Sequence, residues 1–233
     1  MLTENQRPRI LGVAQVAQHV RDIEAARAFY RGFLGFDEML SFANPDGSLR
    51  AALIKIDERQ SVQLITAPAS GNPLDHVGLE TDDAEAMRLY LKSRGIDVPG
   101  EVKKGRFTAC FFSVVDPDGN TVEFMQFTPD SFTLRDFGQH LPATRRGTHL
   151  SSFGMAMRDL EKARSFYRDV LGCIESHPAR AERIQLTVPD GTDRIELHHG
   201  AGHQLALRAP TAALRLNPAV VDPDGTRIEF VDG

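Results

Sequence analysis

The chain has 233 residues, 41% hydrophobic and 25% charged, with a formal net charge of −5. That length holds one large domain or two small ones, and an acidic balance with no basic run argues against a nucleic-acid binder. The opening MLTENQRPRI lacks the apolar core of a signal peptide, no apolar stretch approaches a membrane span of ~18 residues, and Cys110 and Cys173 are isolated, so a soluble cytoplasmic protein with two reduced thiols is expected.

In chain order, VAQHVRDIEAARAFYRGFLG reads as a strand followed by a helix. Asp22 is its N-cap, Ile23, Ala26, Phe29, Tyr30, Phe33 and Leu34 share one face, and Gly35 closes it. DHVGLETDDAEAMRLYLKSRG repeats that grammar, with Asp82 and Glu85 spaced as a capping box and Gly95 as the stop. GMAMRDLEKARSFYRDVLG is a third copy capped by Asp159, and GHQLALRAP starts a fourth that runs into TAALRLNP with no helix. After each unit's opening come short alternating segments broken by NPDG (44–47), DPDG (116–119), VPDG (188–191) and DPDG (222–225), which is hairpin chemistry.

The units are an internal repeat. FYRGFLGF at 29–36 returns as FYRDVLGC at an offset of 137, and VVDPDGNTVEF returns as VVDPDGTRIEF at an offset of 106, so the second half is shorter by 31 residues between these landmarks. The expected fold is α+β, with strand–helix–three-strand (βαβββ) modules in tandem and the fourth stripped of its helix. Residues 9–128 form the first half, 129–148 a linker and 149–233 the shortened second half.

Strand alternation sets Glu123 opposite in direction to Val122 and Phe124, and Glu229 opposite to Ile228 and Phe230. A Glu on a solvated face explains either alone. Counting seven residues back from the cap positions Asp22, Asp83, Asp159 and Pro210 reaches Gln15, His76, Ser152 and His203. The late strands of the odd units add Gln63 and Glu196. Four such side chains on curved strands can meet on one ion. His with carboxylate and amide oxygens suits a divalent Fe, Mn, Ni, Co or Zn with positions left open for substrate. His19 falls at the rim of that cleft, His198 and His199 at an exposed strand end, and His149 in the linker.

HVGLETDD, the endings AFYRGFLGF and SFYRDVLGC, and the two DPDG-to-Glu-Phe segments resemble the vicinal oxygen chelate superfamily over about residues 9–232. That superfamily includes glyoxalase I, extradiol dioxygenases, fosfomycin-modifying enzymes and bleomycin-binding proteins. The resemblance implies paired βαβββ modules around a metal cleft, with ligands on the first and last strand of each module. It nominates Gln15, Gln63, His76 and Glu123 for one site, and Glu196, His203 and Glu229, with Ser152 in a ligand's place, for the other. Which modules pair is left open; the first site is favoured because its modules are whole.

Ring-cleavage chemistry is disfavoured, because the residues before the DPDG turns, FTACFFSVV and RLNPAVV, contain neither the His nor the Tyr that such dioxygenases carry. The expected activity is a metal-dependent lyase or isomerase of glyoxalase type on a small oxygen-rich molecule, with Glu123 or Glu229 as the base. Arg21, Arg27 and Arg106 offer charge, but no recognisable glutathione site. The alternative is a catalytically silent small-ligand binder. A sheet edge uncovered by the missing helix would offer a surface for a homodimer.

Overall fold

Alternating apolar positions bounded by Asp-Gly turns build two sheets, one from each half. The structure, a computed structural model, describes residues 6–66, 72–105, 110–176, 182–209 and 218–232. The first half contains β1 (Ile10–Val20), α1 (Ile23–Ala28), β2 (Asp37–Ala43), β3 (Leu49–Lys55), β4 (Ser61–Thr66), β5 (Leu74–Thr81), α2 (Ala84–Ser93), β6 (Cys110–Val115) and β7 (Thr121–Gln126). Its sheet runs β2-β3-β4-β1-β5-β7-β6. A short α3 (Phe132–Arg135) lies in the connection. The second half contains β8 (His149–Ala156), α4 (Leu160–Arg164), β9 (Ile174–Glu175), β10 (Arg183–Thr187), β11 (Arg194–His198), β12 (His203–Ala209), β13 (Ala219–Val221) and β14 (Arg227–Asp232). Its sheet runs β13-β14-β12-β8-β11-β10-β9. Among the described residues no helix is long and apolar enough to cross a membrane.

The modules pair within each half. β1 and β5 are antiparallel neighbours, as are β8 and β12, while β4 and β7 flank the first pair in parallel and β11 and β14 the second. The first and last strands of two modules are therefore the four central strands of each sheet. One face of the first sheet buries Val13, Val16, Ile54 and Leu64 together with Ile23, Ala26, Tyr30 and Leu34 of the α1 segment. The other face is left for polar side chains. Cys173 is buried, which pushes its thiol up to about 12 and leaves it inert.

Three local expectations change. Asp83, not Asp82, caps α2, accepting from the Ala86 N–H, and Glu85 pairs forward with Arg88 instead of back to the cap. The FYR segments are π-helical turns, Phe29–Phe33 and Ser165–Val170, following α1 and α4. The wider turn keeps Tyr30 and Leu34 inside but leaves Phe33 37% exposed beneath the Arg146 guanidinium. In the second module, among the described residues, the first return strand is represented by a single bridge, Lys103 with Phe111. The stretch 210–217, where the fourth helix is expected to be missing, lies outside the described residues, as does Arg106.

The DPDG turns hold the halves together reciprocally. Asp116 Oδ1 closes its own turn by accepting from the Asp118 and Asn120 amides, while Oδ2 accepts from Tyr167 of the other half at 3.1 Å. Asp222 does the same with Asp224, Thr226 and Tyr30, the last at 3.3 Å. Gly119 and Gly225 turn with φ of 92° and 97°, where a Cβ would be strained. Burial and these carboxylates push both tyrosine hydroxyls well above their ordinary range, so they remain donors. Arg21 reaches Asp224 and Arg158 reaches Asp118 in the same manner. His149 is no free linker residue: its ring sits between Asp57 Oδ2 at 2.6 Å and Asp193 Oδ1 at 2.7 Å, bridging the halves.

Candidate active site

On the open face of the first sheet, β1 places Gln15 opposite Gly78 of β5, and Gly78 opposite Glu123 of β7. One row along, Gln63 of β4 faces Ala17, and Ala17 faces His76. A Cβ on Gly78 would lie 2.4 Å from Met125 Sδ and 3.1 Å from Gln15 Cβ, so glycine clears the floor between Gln15 and Glu123. His76 Nε2 then lies 2.9 Å from Gln15 Oε1 and 4.0 Å from Glu123 Oε1. Gln63 is half-buried in the neighbouring row.

Around a divalent cation with bonds of ~2.1 Å, adjacent ligand atoms stand ~3 Å apart and opposite ones ~4.2 Å. The two distances from His76 Nε2 fall in that range. Among the described residues no group of three or more His, Cys, Asp or Glu side chains is gathered to hold a metal, so a cation here needs the amide oxygens of Gln15 and Gln63 beside His76 and Glu123. One neighbour was not apparent from the spacing. His76 Nδ1 is 2.7 Å from Asp75 Oδ1, and Asp75 Oδ2 is 3.0 Å from His19 Nε2. Hydrogen bonding to His76 holds the Asp75 carboxyl below its ordinary value. A ring N–H given to Asp75 turns the Nε2 lone pair toward Gln15 and Glu123, the usual support for a ligating imidazole. The only clue in the sequence was adjacency, since strict alternation would send Asp75 to the other face. A register shift between Ala17 and Gln18 marks where that alternation ends.

Glu123 is 13% exposed at its side chain, with Ser113 Oγ donating to Oε2 at 3.2 Å. Burial raises its pKa, against the opposing effect of His76 and Ser113. A carboxylate at once desolvated and beside an imidazole is a competent proton acceptor.

The second half does not reproduce this set. Ser152 of β8 faces Ala206 of β12, and Ala206 faces Glu229 of β14, while Glu196 of β11 faces Gly154, and Gly154 faces Gln204. The place of His76 is therefore Gln204, and the expectation for His203 is corrected by one residue. Counting from Pro210 slipped because the fourth unit begins with no helix cap. His203 points to the opposite face, where Nε2 bonds Gln18 Oε1 at 3.0 Å beside Phe153 and Thr226. Desolvation there lowers its pKa to about 4, so it is neutral. Glu196 is occupied: Arg183 Nη1 lies 3.2 Å from Oε2, Gln185 donates to Oε2 at 3.1 Å, and Gln204 donates to Oε1. Glu229 is paired with Arg227 at 2.8 Å.

Residues 12–124 match the family model of the Glyoxalase/Bleomycin resistance protein/Dioxygenase superfamily. Among solved structures, a Mn(II)-bound glyoxalase from Novosphingobium aromaticivorans aligns over 96% of this chain and 82% of its own at TM-score 0.75 and 19% identity. Homoprotocatechuate 2,3-dioxygenase from Arthrobacter globiformis aligns over 97% and 81% at 0.73 and 19%, and a catechol 2,3-dioxygenase over 97% and 93% at 0.72 and 18%. At these identities the likeness is one of fold. No curated protein sequence matches the chain.

Proposed function

We propose, from the premise that this chain belongs through residues 12–124 to the glyoxalase/bleomycin resistance protein/dioxygenase superfamily, that its first half is a metal-dependent lyase or isomerase site of glyoxalase type. The observation that carries the reading is the meeting of His76, Gln15 and Glu123 on one open face, with Glu123 buried and its pKa raised. His76, Glu123, Gln15 and Gln63 would hold the cation. When bound, the cation supplies Lewis-acid stabilisation to vicinal oxygens of a small substrate.

The protein's own part is positional and protolytic. Asp75 fixes the His76 ring through Nδ1. Ser113 orients the Glu123 carboxylate through Oε2, leaving Oε1 toward His76 and the cleft. Glu123 takes a proton from the carbon next to a carbonyl and returns it to the neighbouring carbon or oxygen. Its elevated pKa strengthens it as a base.

The test is deuterium exchange at the α-carbon of small α-hydroxycarbonyl compounds and thiol hemithioacetals, followed by NMR with Mn(II) present. Wild-type protein should exchange the α-proton, and Glu123→Gln should lose about 10²–10⁴-fold of that rate. Exchange that survives in Glu123→Gln would overturn the assignment of the base. A wild-type protein that binds these compounds equally well with and without Mn(II), and exchanges nothing, would instead mark a ligand-binding member.

A further inference from the structure

The second-half cleft is built by a second module pair on the same plan as the first, yet its Glu196 meets charge that the first half lacks. Its carboxylate is 5% exposed, and it receives a guanidinium from Arg183 and amides from Gln185 and Gln204. Gln204 reaches it only because residue 154 is glycine, since a Cβ there would stand 2.5 Å from Gln204 Cγ. With Ser152 on the first strand, Gln204 in the place of His76, and Glu196 and Glu229 each held by an arginine, the donor set of the first half is not reproduced among the described residues. The residues do not fit a metal: the Arg183 guanidinium already supplies the positive charge.

The space has nonetheless been kept. A cavity of about 460 Å³ opens over this face, floored by Ser152, Gly154 and Ala206, in the range of small-ligand sites. Arg194 and Arg208 line it, and among the described residues neither guanidinium has a carboxylate partner. Two unpaired guanidiniums in a concave polar site are a carboxylate receptor, because their planar forks match a carboxylate two hydrogen bonds at a time. Of the acids lining the cavity, Glu196 is paired with Arg183 and Glu229 with Arg227, which leaves Asp232 against Arg194 and Arg208. That excess of a single positive charge disfavours a phosphate dianion and favours a monoanion with hydroxyl or aryl substance for the remaining volume.

We propose that the second-half cleft is a metal-free binding site for a small organic monocarboxylate, anchored by Arg194 and Arg208. The inference stands on the second half alone and survives failure of the proton-transfer reading of the first.

Isothermal titration of the full chain with lactate, gluconate and benzoate, with inorganic phosphate as a parallel arm and ionic strength matched, tests it. At least one carboxylate should bind saturably without added metal. Arg194→Gln/Arg208→Gln should weaken it tenfold or more, and His76→Ala should leave it unchanged. A parallel Mn(II) titration should give no more than one equivalent, lost in His76→Ala and kept in Glu196→Gln. Circular dichroism of each variant checks folding; both arginines lie outside the buried core, so their loss should leave the fold intact. No saturable heat with any of the three carboxylates overturns the proposal, as does binding that persists in the double arginine variant. Tighter binding of phosphate than of every carboxylate, or a Mn(II) equivalent lost in Glu196→Gln, would overturn it equally.

Discussion

Glu123 carries two opposed requirements in one side chain. Because burial raises its folded-state pKa above that of the unfolded chain, its stabilising contribution is complete only while protonated and is lost as pH rises through the folded value. Above that value the ionised carboxylate costs stability in return for basicity. Glu123→Gln should raise the thermal midpoint of the metal-free protein by a few degrees in alkaline buffer while abolishing proton transfer, and differential scanning calorimetry across pH should show the gain growing as pH rises. Asp75 acts through another residue. Asp75→Asn should weaken Mn(II) affinity by about 10–100-fold, read by titration, with little change in melting temperature. Neither effect was written in the sequence. The pairing of Gln15, His76 and Glu123 followed from strand periodicity and resemblance, but desolvation at Glu123 and the reach of Asp75 depend on how the sheet curves and where its register breaks.

At the scale of elements, the strand–helix grammar was legible because caps, apolar faces and Asp-Gly turns all pointed to the same boundaries. Asp22 and Asp159 cap as expected, through Oδ1 to the Glu24 and Ala25 amides and to the Lys162 amide. The failures have a common cause, which is counting across a region without a marker. Pro210 offered no cap, so the count reached His203 and missed Gln204. The π-turns were invisible because an inserted residue in a helix changes hydrogen bonding without changing composition. Glycine positions in the cleft give an element-level prediction. Gly78→Ala would set a methyl against Met125 Sδ and Gln15 Cβ. It should cost about 1–3 kcal/mol in urea denaturation and disturb the β5–β7 spacing that brings Glu123 to His76.

Across the whole molecule, ionisation at the junction of the halves sets the pH response. His149, held by Asp193 and Asp57, has its pKa raised to about 9 from 6.5, so its contribution is full below pH 6.5 and disappears as pH rises to about 9. His203 is lowered to about 4, so its contribution is full above pH 6.5 and fades as pH falls toward that value. Stability should peak near pH 6.5 as far as these two histidines determine it. His149→Asn should lower stability there by about 2 kcal/mol and flatten the alkaline decline between pH 6.5 and 9, measured by thermal unfolding across pH. The tandem halves were readable from the offset repeats. Their mutual grip was not, because Asp116 and Asp222 look like ordinary turn residues until the opposite tyrosines arrive.

That grip has a consequence for synthesis. Tyr30 finds its acceptor 192 residues downstream, in the DPDG turn at 222–225. While the ribosome still covers that turn, the first half is without the acid that Tyr30 needs and the carboxylate that fixes Gln18 at 2.9 Å. The nascent first half must wait, unfinished, for the turn around Asp222 to emerge. A chain cut before Asp222 would thus leave Tyr30 and Gln18 of the first half without their acceptor.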